Sequence, residues 1–89
     1  MEEALRVEGR VQGVGYRAWA VQQAGVLGLA GWIRNAPDGA VEVAVRGEAA
    51  QVRRFVDLLR EGPRHARVVR VLSLGLPTHP IGARFEVRR

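Results

Sequence analysis

The segment Gly9-Arg10-Val11-Gln12-Gly13-Val14-Gly15-Tyr16-Arg17 has residue types and spacing suited to chemistry. Its glycines free the backbone to take positive φ, so that successive amides can point into one concavity and bind an anion. A helix starting directly after the loop adds the positive end of its dipole. Arg17, at that start, supplies a planar fork of donors matched to phosphate oxygens. A tight turn followed by a surface arginine fits the same spacing. Asn35, the only asparagine, stands before a turn. Its carboxamide can accept a hydrogen bond from a water and donate one to an oxygen, or it can simply cap that turn.

The rest of the inventory excludes many alternatives. There is no cysteine, hence no disulfide, thiolate metal site or cysteine nucleophile. There is no lysine, hence no Schiff base and no P-loop lysine. The single serine, Ser73, lies inside an apolar run, which disfavours a serine triad. His65 and His79 fall in connections without partners at ligand spacing and read as surface residues. Trp19 and Trp32 read as packing or cover. Gly13-x-Gly15-x-x-Ala18 loosely fits a dinucleotide fingerprint, but the next strand turns back at Pro37-Asp38-Gly39 instead of continuing a parallel sheet.

The elements that hold these residues follow from periodicity. Leu5, Val7, Gly9 and Val11 alternate with charged residues, which predicts a half-buried strand. Tyr16 to Leu27 reads as a helix with Ala20, Ala24 and Leu27 on one face, stopped by Gly28. Leu29 to Ala36 reads as a second strand, and Ala36-Pro37-Asp38-Gly39 as a turn. Val41, Val43 and Val45 then alternate in a returning third strand. Gly47 opens a second helix, with Val52, Phe55, Val56 and Leu59 at i, i+3, i+4 and i+7, and Gly62-Pro63 ends it. Ala66 to Leu76 reads as a strand, Pro77 to Pro80 as a connection, and Phe85 with Val87 as a last strand. The order βαββαβ plus one extra C-terminal strand predicts an α+β sandwich, two helices on one face of a mostly antiparallel sheet. The opposite face would carry Arg6, Glu8, Arg10, Glu42, Arg46, Arg84, Glu86 and Arg88 as a solvated ion-pair lattice.

Eighty-nine residues make a single domain spanning 1–89, able to bury roughly 60–65% of its unfolded surface. The net charge is +5, with 14 basic residues that are all arginine. No apolar run reaches membrane-spanning length and the acidic start lacks a signal pattern, so a cytoplasmic location is expected.

The stretches GRVQGVGYR and GWIRNAPDGAVEVAVRG together resemble the acylphosphatase family, and the order of elements extends the likeness over nearly the whole chain. The resemblance implies a ferredoxin-like sandwich and metal-free hydrolysis of small acyl phosphates to carboxylate and inorganic phosphate, with no cofactor. It places the family's phosphate-binding arginine at Arg17, its water-positioning asparagine at Asn35, and its phosphate loop on the backbone of Gln12, Gly13, Val14, Gly15 and Tyr16. Ile33 stands where the family usually has a smaller apolar residue. The expected partners are the acyl phosphate and the released phosphate, with neither nucleic acid nor membrane, for a chain acting as a monomer. The rival is a non-enzymatic ferredoxin-like module binding RNA or another polyanion through its arginines; it lacks the interleaved aromatics such a surface uses.

Overall fold

A computed structural model describes all 89 residues. The elements run β1 (Glu2–Arg10), α1 (Tyr16–Val26), β2 (Ala30–Asn35), β3 (Val41–Arg46), α2 (Ala49–Glu61), β4 (Arg67–Gly75) and β5 (Phe85–Val87). They form one five-stranded sheet in the order β4-β1-β3-β2-β5. Every pairing is antiparallel except β2 with β5, which is parallel. This is the ferredoxin-like sandwich, with the fifth strand added at the β2 edge.

Register follows the apolar alternation. Leu5 faces Val43 and Val7 faces Val41 across β1 and β3, and Ile33 faces Val43 across β2 and β3. A one-residue slip would turn this whole apolar set to solvent, so burial itself fixes the pairing. The set packs against Ala20 and Ala24 of α1 and Phe55 and Leu59 of α2.

The helix ends are closed locally. Gly28, at φ 69°, lets its own amide reach the Gly25 carbonyl (3.2 Å) and the Leu29 amide reach that of Ala24 (2.9 Å). That pair of bonds satisfies carbonyls a helix end leaves open. Helix α2 starts at Ala49, two residues later than its sequence suggests, with Glu48 at the N-cap making no side-chain cap bond.

The open face is only partly the expected lattice. Arg6 pairs with Glu8 and with Asp38, Arg70 with Glu8, Arg34 with Glu42, and Arg88 with Glu86. Arg46 instead donates to the carbonyls of Ile81 (3.4 Å) and Gly82 (2.9 Å), and Arg88 also holds that of Pro80 (2.8 Å). These arginines tie the segment between β4 and β5 across the sheet, where His79 meets the Trp32 ring edge-on. Trp32 is left 5% exposed, a covered residue as expected. The apolar run of β4 is a strand, but it lies at a sheet edge, and Val69, Leu72 and Leu74 stay exposed.

Candidate active site

The loop between β1 and α1 takes its shape from two glycines. Gly13 has φ 73° and Gly15, the N-cap of α1, has φ 80°. A Cβ at either position would meet nothing within 4 Å, so backbone conformation and not space demands glycine here. The first amide of the helix to find a carbonyl is that of Trp19, which bonds to Gly15 at 3.1 Å. The amides of Gly13, Val14, Gly15, Tyr16, Arg17 and Ala18 reach no backbone carbonyl, and no side chain caps the helix. Six successive donors are thus left open, with no acidic residue in the first turn to compete for them.

All of these residues except Val14 border a cleft of about 340 Å³, which Val11, Val87 and Arg89 also line. Arg17 is half-buried and makes no ion pair, which leaves its guanidinium uncommitted beside the open amides. The Tyr16 side chain is committed to the core. Its ring is 1% exposed, its hydroxyl donates to the Leu59 carbonyl at 2.7 Å, and burial pushes the phenol's pKa well above its usual value. Val14 packs its side chain against the core.

Asn35 does not line the cleft; it ends β2 beside it. The β2–β5 register pairs Gly31 with Phe85 and Ile33 with Val87, and the Arg88 amide donates to the Ile33 carbonyl at 2.9 Å. The chain continues from β5 to Arg89, which does line the cleft. Asn35 is exposed and its carboxamide is not the cap of the following turn. Asp38 serves there instead, accepting from the Ala40 amide at 3.2 Å, while Gly39 donates to Ala36 at 3.2 Å and Ala36 to Ala40 at 2.8 Å. Arg6 holds the Asp38 carboxyl below the usual carboxylate range.

Gln12 joins the two halves. Its side-chain amide donates to the carbonyls of Ala36 and Ala40, each at 2.8 Å. Sequence reasoning gave Gln12 only a backbone role and missed Val87 and Arg89 altogether. A carboxamide at the loop's start was a legible signal; a charged chain end was not, since it reads as solvated. No three His, Asp or Glu side chains converge to hold a metal ion.

Known proteins resemble this chain in sequence and in fold. A family model described as Acylphosphatase matches residues 3–87. An acylphosphatase of Paraburkholderia xenovorans is 46% identical over 82 residues, covering 92% of this chain and 84% of that protein. One of Bordetella parapertussis is 51% identical over 67 residues, covering 75% of this chain and 71% of that protein. The crystal structure of acylphosphatase from Bacillus subtilis superposes with a TM-score of 0.87 at 31% identity, covering 99% of this chain and 98% of that one.

Proposed function

The chain belongs to the acylphosphatase family and hydrolyses acyl phosphates to a carboxylate and inorganic phosphate, and we propose that it does so without metal, using loop amides and Arg17 for the phosphate and Asn35 for the water. The observation that carries this reading is the run of six open amides from Gly13 to Ala18, on residues that, all but Val14, border one cleft, with an unpaired Arg17.

The chemistry asks for little more. A carboxylate is a good leaving group, so no strong general acid is needed. Phosphoryl transfer depends on positioning and on stabilising charge on the equatorial oxygens. The amides and the Arg17 fork hold those oxygens. Asn35, free of other hydrogen bonds, directs a water at phosphorus opposite the acyl oxygen. The water oxygen bonds to phosphorus, the P–O bond to the acyl group breaks with its electrons going to the carboxylate, and a phosphate oxygen takes the water's proton. The products are the carboxylate and dihydrogen phosphate. No side chain of the cleft is placed as a base, which supports this internal proton transfer.

Against the polyanion-binding alternative, four of the open-face arginines are committed to carboxylates. No helix is long and apolar enough to cross a membrane.

The test is hydrolysis of benzoyl phosphate in the presence of a chelator, for wild type and Asn35→Ala. The reading expects chelator-resistant turnover, and a kcat lower by roughly 10²–10³-fold in the variant with inorganic phosphate still inhibiting as in wild type. Loss of turnover with chelator would refute the metal-free part. An unchanged kcat in Asn35→Ala would remove the water from Asn35.

A further inference from the structure

A phosphate cradle and a water-holding asparagine on separate segments need something to fix the gap between them. Gln12 belongs to the cradle loop, and Ala36 and Ala40 belong to the turn that begins beside Asn35. The two segments are joined by the Gln12 carboxamide, whose Nε2 donates at 2.8 Å to the Ala36 carbonyl and at 2.8 Å to the Ala40 carbonyl, across 24 and 28 residues of chain. Both amide hydrogens are used. The carboxamide cannot be turned over, since its oxygen would then face two carbonyl oxygens. The turn it grips is already closed on itself by the Ala36 amide to Ala40 and the Gly39 amide to Ala36. Gln12 is therefore not needed to make the turn; its bonds set where the whole turn stands relative to the cradle.

We propose that Gln12 is a positioning residue, whose side chain sets the distance between the phosphate cradle and Asn35 and so keeps the attacking water in line with the bond that breaks. This rests on Asn35 holding the water. Gln12 touches neither water nor phosphate with its side chain; it acts through Asn35. Small misplacements matter in such a step, because in-line attack requires both distance and direction.

The experiment is a double-mutant cycle of Gln12→Met and Asn35→Ala on benzoyl phosphate, with kcat, inhibition by inorganic phosphate and the thermal midpoint measured for each protein. Gln12→Met keeps side-chain length and removes both donors. Alone, it lowers kcat by about 10–100-fold while phosphate inhibition holds its wild-type value. Added to Asn35→Ala, it costs less than about twofold more, because the residue it acts through is already gone. Losses that multiply would overturn the proposal, as would an unchanged kcat in Gln12→Met. Loss of phosphate inhibition together with kcat would also overturn it, since Gln12 would then be shaping the cradle itself. Should Gln12→Met fail to fold, Gln12→Asn replaces it in the same cycle, with a carboxamide one methylene too short to reach both carbonyls. Failure of the Asn35 reading looks different: Asn35→Ala alone keeps its kcat.

Discussion

Replacing Tyr16 with Phe removes one hydroxyl from a buried ring and separates the two roles its position could have. In α2 the carbonyl of Leu59 would ordinarily accept the amide four residues on, but that residue is Pro63, which has no N–H. The Gly62 amide is taken by Leu58. The Tyr16 hydroxyl fills this place at 2.7 Å, within a fully buried setting. Tyr16→Phe therefore strands a buried carbonyl and should cost about 1–3 kcal/mol. For a domain of this length each kcal/mol moves the thermal midpoint by about 5 °C, so the variant should melt roughly 5–15 °C lower. Its kcat at a temperature where it stays folded should match wild type, because the proposed cradle uses only the residue's amide. The assay is a thermal melt beside benzoyl phosphate turnover. A large loss of kcat with an unchanged midpoint would refute this reasoning and make the phenol a participant in the chemistry.

Other outcomes follow from the same geometry. Arg17→Lys should lower kcat/KM at least about 10²-fold, since an ammonium lacks the two-pronged fork, whereas Arg10→Ala should stay near wild type; equal losses would reduce Arg17 to a general electrostatic effect. Gly13→Val and Gly15→Val should each lose about 1–2 kcal/mol in a melt, because a β-branched residue is strained at φ 73° or 80°, and should weaken phosphate inhibition. Normal phosphate inhibition in both would show the cradle to be elsewhere. The carboxyls of Asp38 and Glu8 are held low chiefly by hydrogen bonds from Arg6, with Arg70 adding to Glu8. A lowered folded pKa means stability that is present above the ordinary carboxylate range and lost as pH falls from about 4 through the lowered values. The thermal midpoint should fall over that window, and less steeply in Asp38→Asn; an identical acid profile in the variant would exclude this pair as a cause.

Much of the architecture was open to reading from local pattern, for local reasons. Alternation at Leu5, Val7 and at Val41, Val43, Val45 marks strands because a pleated backbone puts every second side chain on one face. Gly28 and Pro63 mark helix ends because each breaks the helical pattern within a residue or two. Gly13, Gly15 and Arg17 pointed to an anion site because positive φ and a helix start are set by nearest neighbours. Where local rules competed, the reading was less sharp. Gly47 suits the start of α2, yet the helix begins at Ala49 with Glu48 at its N-cap, since local signals fix a helix end only to within a residue or two.

The sequence by itself therefore determined the elements, the two-layer order and the glycine-rich segment proposed to hold phosphate, which rest on residues close in the chain. Tertiary structure alone decided what meets across it. The parallel addition of β5 beside β2 brings Val87 and Arg89 into the cleft, although a charged chain end carries no local sign of such a place. The Gln12 side chain ties the turn after Asn35 to the loop, and the fold gives that turn's capping to Asp38. Pairing partners such as Gln12 with Ala36 and Ala40 depend on where separate segments land once the core has packed. No spacing within one segment encodes that distance, because it is fixed by burial of the apolar face they share.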